Sequence, residues 1–387
     1  MVNNWRFAVV LVIGSIVVLG SAEYLTQESR EFDEFTGLCV YSSGSFSVLT
    51  DGKVQVVVYI PLEEGRVYRV LGRLYNATGL KMEVASAEPA EPDFELETVS
   101  GAYWPSRGYY LLTPERVKLA FPLSAEKGEL VLVKGVWYGR RFYPLIAEPL
   151  GLPKHPRDGM PWSVEGTVLY SGSRTVLWNG SEEIVLYLPY GVSVEPGERV
   201  RVLGLVREYS KLTLLVDSED DVDVLGDAPE GDVAAARVGE IAVGNCTVIE
   251  AGRSLRLDCT GRRVYNFRAR VGDTVSIRAL VRRSSLYCLA CSVVRPRELL
   301  PNSICDPDGE GARRISGRVR WVRVYKNGFG IANVTDGDCW VLLKIRKSLG
   351  VTIHNNQTVT AYGFFTTYRG MPAFEVQSGD DLCSGNC

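Results

Sequence analysis

"VRVLGLVREYSKLTLLV", residues 200–216, decides how the chain is read. Val200, Val202, Gly204 and Val206 take alternate positions, a polar turn intervenes, and Leu212, Leu214 and Val216 resume the alternation. A period of two on both sides of a short polar break is a strand, a tight turn and a second strand. The chain repeats this pattern in "YRVLGRLYNATGLKMEV" (68–84), "LVLVKGVWYGRRFYPLIA" (130–147), "VSIRALVRRSSLYCLAC" (275–291) and "VTAYGFFTTYRGMPAFEV" (359–376). A fixed marker sits in each hairpin: Gly72, Gly135, Gly204, Ala279 and Gly363.

Working outward, each hairpin is preceded by a glycine-bearing strand: "FTGLCVY" at Gly37, "VSGAYW" at Gly101, "VEGTVLY" at Gly166, "RVGEIAV" at Gly239 and "ISGRVRW" at Gly317. The two markers are 35, 34, 38, 40 and 46 residues apart, so the frame holds while the middle varies. Two further strands fill that middle, as in "RTVLWNGSEEIVLYL", where Asn179-Gly180 signals a hairpin. Such self-similarity marks a tandem array. A lone sheet of five short strands cannot bury both faces flat, so it curls and closes into a small barrel, with glycines at the corners.

The stretch "GERVRVLGLVREYSKLTLLV" at Gly197–Val216 resembles the fourth and fifth strands of nucleic-acid-binding OB domains, and the resemblance extends as tandem copies over residues 34–383. The fourth copy departs from it at Ala279. The resemblance implies an all-β chain of five tandem five-stranded OB-like barrels, at 34–95, 98–150, 160–226, 235–298 and 312–383. Linkers rich in Pro, Gly and acid, such as "ASAEPAEPDFE" and "DSEDDVDVLGDAPEGD", agree with that segmentation and keep neighbours close.

At 387 residues with 46% hydrophobic and 23% charged side chains, the chain builds several packed cores and is not disordered. Scarce Gln, His and Met with abundant Arg lean towards a thermophile. Residues 1–22 are expected to form one hydrophobic helix, because Arg6 precedes an uncharged run from Phe7 to Ala22 and Glu23, Glu28 and Glu31 follow. Two readings fit, a cleaved signal peptide and a retained membrane anchor, and both place the remainder outside the cytoplasm. The whole resembles an archaeal cell-surface protein.

Five of the twelve Asn residues begin an Asn-x-Ser/Thr sequon: Asn76, Asn179, Asn245, Asn333 and Asn356. The nine cysteines cluster late, with Cys246, Cys259, Cys288 and Cys291 in the fourth unit and Cys305, Cys339, Cys383 and Cys387 around the fifth. Cys288-Leu-Ala-Cys291 has a zinc-like spacing but lies in the last strand of a hairpin, not on a knuckle turn. Outside the cell, disulfides within each unit are the simpler account, leaving Cys39 free, buried or open to an intermolecular bond.

Catalytic machinery is not evident. Only His155 and His354 occur, and the phosphate-loop, nucleophile-elbow and zinc-protease motifs are absent. The expectation is therefore a non-enzyme without metal or cofactor. The acidic run at 217–223 lacks the distant bidentate Glu of a calcium loop and reads as solvated linker.

Charge distribution is the feature that carries function. Residues 237–347 hold 21 Lys and Arg against 10 Asp and Glu, whereas the whole chain is −3. Alternation sends Arg268, Arg270, Arg278 and Arg282 outward from the fourth unit. In the fifth, "GRVRWVRVYKNGFG" interleaves Arg318, Arg320, Trp321, Arg323 and Tyr325, and its phase slips near Trp321, as at a bulge that exposes an aromatic. Cations beside stackable rings suit single-stranded nucleic acid. A surface laced with Arg–carboxylate pairs, and self-association between the basic region and the acidic remainder, fit the same charges. The expected partners are thus single-stranded nucleic acid, the membrane through an uncleaved leader, and other copies of the chain.

Overall fold

The structure, a computed structural model, describes residues 32–113, 115–307 and 311–385. The leader expected over 1–22 and Cys387 lie outside the described residues. Among the described residues no helix is long and apolar enough to cross a membrane. The chain is all-β, and its helices are 3-10 turns of three residues.

In the first barrel the strands Asp33–Ser42, Ser47–Thr50, Gln55–Val58, Val67–Asn76 and Leu80–Pro89 close in the order first, second, third, fifth, fourth. The first strand is long enough to pair antiparallel with both the second and the fourth. The fifth then fills the remaining gap by running parallel to the third. The same connectivity recurs four times, from Glu97–Pro105 to Arg141–Gly151, Pro161–Tyr170 to Leu212–Leu215, Ile241–Glu250 to Ser285–Cys288, and Arg313–Val324 to Met371–Glu375. In the second barrel a single parallel bridge, Leu119 to Phe142, makes the third-to-fifth closure. Five-stranded Greek-key barrels with this strand order fit OB-like domains.

Alternation explains the interiors. In barrel 3, Val164, Val168, Leu177, Ile184, Leu186, Val200, Val202, Val206 and Leu214 form one buried cluster. The hairpin glycines are required by close approach: a Cβ on Gly135 would lie 2.0 Å from the Tyr143 carbonyl oxygen. On Gly166, in a first strand, it would lie 2.4 Å from that of Trp178.

Barrel 4 corrects the repeat frame. Its first strand begins at Ile241, after Gly239, and the register places Cys246 where the other first strands have glycine. Gly239 sits instead in the preceding turn at φ 88°, against the Trp178 ring of barrel 3. Cys246 is disulfide-bonded to Cys259 just beyond the second strand, so a covalent tie stands where glycine contacts occur elsewhere.

After the fifth strand the chain runs back along the fourth in every barrel. In barrels 1 and 2 the fifth strand itself continues through a bulge. Barrels 3 and 5 use a 3-10 turn capped by Ser218 or Ser378, with Asp221 or Asp381 accepting a hydrogen bond from the cap's backbone amide, then the trailing strand Val222–Asp227 or Leu382–Ser384. The acidic run at 217–223 therefore holds a turn. In barrel 4 the Cys288–Cys291 disulfide occupies that place, before the trailing strand Ser292–Arg295.

Two compact units result, one ending at Lys154 with barrels 1 and 2, the other beginning at His155 with barrels 3 to 5. Barrels 1 and 2 share a buried cluster of Leu38, Val40, Val67, Val136 and Tyr143. In the second unit the junctions are built largely from arginine.

Candidate nucleic-acid interface

At one end of barrel 5 the first strand, Arg313–Val324, turns through Tyr325–Phe329 into the second. The Tyr325 amide donates to the Phe329 carbonyl at 2.7 Å, and Asn327 Oδ1 accepts from the Phe329 amide at 3.1 Å. That closure stacks the Tyr325 and Phe329 rings, with centroids 6.0 Å apart and planes 22° apart. The turn between fourth and fifth strands, Arg369-Gly370, has positive φ at both residues and brings Tyr368 to 6.1 Å from Phe329. Ile331, Leu342 and Ala373 form the apolar floor beneath the three rings.

Cations frame these rings. The Arg323 guanidinium lies 5.3 Å from the Tyr325 centroid, and that of Arg369 5.4 Å from Tyr368. Neither has a carboxylate partner among the described residues, and Lys326 and Lys347 are exposed beside them. Lys344 and Arg346 are engaged by Glu375. A hydrogen bond with Tyr325 raises the Tyr368 hydroxyl above its ordinary pKa. Residues 312–385 hold ten Lys and Arg against five Asp and Glu.

Farther along the same first strand the register shifts between Val319 and Trp321, the expected bulge, and Trp321 is 44% exposed. Arg318 and Arg320 are exposed around it. Arg323 and Tyr325 thus join the ring cluster, while Arg318, Arg320 and Trp321 lie towards the other end of the face.

The barrel 4 residues are placed differently. Arg278 is paired with Asp227 at 2.6 Å and Glu230 at 2.9 Å, in the segment leading from barrel 3. Arg282 donates Nε to the Leu169 carbonyl of barrel 3 at 2.9 Å, between the Tyr170 and Tyr287 rings at 4.0 and 4.1 Å. Burial lowers its pKa, though a guanidinium stays charged. Arg270 is paired with Glu298 at 2.5 Å, and Arg268 is exposed. Two further arginines act at junctions. Arg283 meets Glu183 at 3.3 Å, and buried Arg297 bonds Asp381 of barrel 5 at 2.5 Å and lies over Tyr362.

Barrel 3 carries a groove of about 560 Å³ at the corresponding place, lined by Arg174, Tyr187, Tyr209 and Lys211 among others. Lys211 is neutralised by Glu183 at 2.8 Å, and residues 155–232 hold fifteen Asp and Glu against six Lys and Arg. Its field disfavours a polyanion.

Phe329, Tyr368 and Arg369 were not singled out from the sequence. The aromatic-basic pairs flanking two hairpin turns, "YKNGF" and "YRG", were the available signal. Cysteines pair as expected within barrels: Cys246–Cys259, Cys288–Cys291 and Cys305–Cys339, with Cys383 also disulfide-bonded. Cys39 is free and buried. Of the sequon residues, Asn76, Asn245 and Asn356 are exposed, while Asn179 and Asn333 are half-buried. Asn179 Oδ1 accepts three hydrogen bonds from Ser181 and Glu182 at 2.9 Å.

Fold and site together define an all-β protein of OB-like barrels, the fifth of which has a basic, ring-bearing end. No protein-family model matches the sequence, and no curated protein matches it. Among solved structures, the chain is similar to the tetrameric p202 HIN2, at 13% identity over 38% of this chain and 94% of that one, with a TM-score of 0.23. It is also similar to a multidomain protein with nucleic acid binding domains from Streptococcus pneumoniae, at 13% identity over 52% of this chain and 77% of that one, with a TM-score of 0.13.

Proposed function

We propose that the protein is a non-catalytic binder of single-stranded nucleic acid, engaging it at the Tyr325–Phe329–Tyr368 end of barrel 5. The observation that carries this reading is the ring cluster framed by Arg323 and Arg369 without carboxylate partners. Unstacked bases gain about 1–3 kcal/mol each on such rings, and the guanidiniums neutralise the adjoining phosphates. An exported position, as a secreted or N-terminally anchored glycoprotein, belongs to the same proposal. It is supported by the apolar leader, the sequons and the disulfide-rich barrels 4 and 5.

The test is anisotropy of a labelled single-stranded oligonucleotide over a salt series. Affinity should fall with salt by about 0.7 log units per log unit for each phosphate contacted. R323E with R369E should flatten that slope, and alanine at Tyr325, Phe329 and Tyr368 should weaken binding while keeping it. Binding unchanged by both sets would remove barrel 5 as the site.

A further inference from the structure

Two junctions, between barrels 1 and 2 and between barrels 3 and 4, share a geometry that barrel 5 leaves unfilled. Barrel 4 has the same bulge, between Val248 and Glu250 with the Gly272 amide on Val248, but meets barrel 5 through Arg297 instead. In barrel 1 the first strand bulges between Cys39 and Tyr41, and in barrel 3 between Val168 and Tyr170. The carbonyl of the intervening residue is the point of attachment for the next barrel. Val40 accepts from the Tyr143 hydroxyl of barrel 2 at 3.0 Å, and Leu169 accepts from Arg282 of barrel 4 at 2.9 Å. A second landmark is the glycine whose amide bonds the residue before the bulge. Gly65 faces Phe121 of barrel 2, and Gly197 faces Leu289 of barrel 4.

Barrel 5 has the same geometry. Its bulge lies between Val319 and Trp321, and the Asn356 amide bonds Val319, so Trp321 corresponds to Tyr41 and Tyr170, and Asn356 to the glycines. Pairing along the row makes Trp340 the counterpart of Glu183, which in barrel 3 receives Arg283. Trp321 and Trp340 are 44% and 41% exposed. Exposed tryptophans on one sheet face, edged by arginine, are anchors for a protein partner.

The incoming element at both filled junctions is the hairpin of fourth and fifth strands, through Tyr138 and Tyr143 in barrel 2 and Arg282 and Tyr287 in barrel 4. Barrel 1 carries the same hairpin with exposed apolar side chains. Tyr75 stands at the position of Arg282, and Leu74 and Tyr75 are 36% and 40% exposed beside Tyr59 and Lys81. Glu83, where the other hairpins have Tyr143 and Tyr287, is an exposed carboxylate, opposite in charge to the exposed Arg318 and Arg320 of barrel 5.

We propose that the Trp321–Trp340 face of barrel 5 docks the fourth–fifth-strand hairpin of barrel 1 from a second copy of this chain. Such a contact joins unlike surfaces, so it propagates head to tail as a filament or closes as a ring.

The test is sedimentation velocity of the full, nuclease-treated chain in mild detergent over rising concentration. The wild-type chain should form a ladder of species. W321D with W340D, and separately L74D with Y75D, should each lose association. An equimolar mixture of the two variants should restore dimers and nothing larger, because each retains the half the other lacks. That recovery also shows that both variants are folded. A wild-type chain monomeric throughout, association surviving in either variant, or a mixture without dimers would each overturn the proposal.

Discussion

Replacing Arg282 with Met separates two readings of one side chain. As part of a nucleic-acid surface, Arg282 would touch phosphate, and its loss would weaken binding at unchanged stability. As placed, it donates to the Leu169 carbonyl and lies between the Tyr170 and Tyr287 rings. A hydrogen bond from a charged donor contributes about 1.5–3 kcal/mol, and each ring contact about 0.5–2 kcal/mol. Met keeps part of the aliphatic packing, so the expected cost is about 2–5 kcal/mol at the junction of barrels 3 and 4. For a unit of this size that lowers Tm by roughly 5–15 °C. Circular dichroism melts and urea unfolding measure it, alongside oligonucleotide affinity on the same preparation. A wild-type melting curve together with weakened oligonucleotide binding would refute the reasoning.

Arg297→Met should cost about 3–5 kcal/mol by leaving the buried Asp381 carboxylate unpaired. Burial already raises the Asp381 pKa, so in the variant this carboxyl is best tolerated protonated; the deficit should be smaller in acid and grow as pH rises, by urea unfolding at each pH. The Cys39 thiol, pushed up to about 11 chiefly by burial, should resist alkylation in the native chain and react once unfolded, as read by mass spectrometry. Serine replacement of Cys305 and Cys339, 34 residues apart, should cost about 3–4 kcal/mol, against about 2 kcal/mol for Cys288 and Cys291, three apart. Equal shifts in the two variants would speak against loop closure as the cause.

Much of the architecture was legible because a barrel strand with one solvated face must alternate. Val200, Val202 and Val206 announce that directly, and glycines pressed against a neighbouring strand repeat at near-constant spacing. The frame failed in barrel 4, where the close contact is replaced by Cys246, and Gly239, shaped by a turn, imitates the missing marker. Alternation also put Arg278 and Arg282 correctly outside their barrel. It could not say that a neighbouring barrel or its leading segment covers that outside, because inside and outside refer to one sheet only. Arg323 and Tyr325 were visible as interleaved charge and ring. Phe329 and Tyr368 were not, since the floor that gathers them joins Ile331 and Leu342 to Ala373, on a strand remote from theirs in the chain.

The trailing strands have a practical meaning for dissecting the molecule. Val222–Asp227, Ser292–Arg295 and Leu382–Ser384 each shield the free margin of the fourth strand before them. A fragment ended at the last barrel-closing residue, for example at Leu215, would leave that margin bare and prone to sticking to its own kind. Cuts placed after Asp227 instead hand each piece its own selvedge, and with it a better prospect of staying in solution.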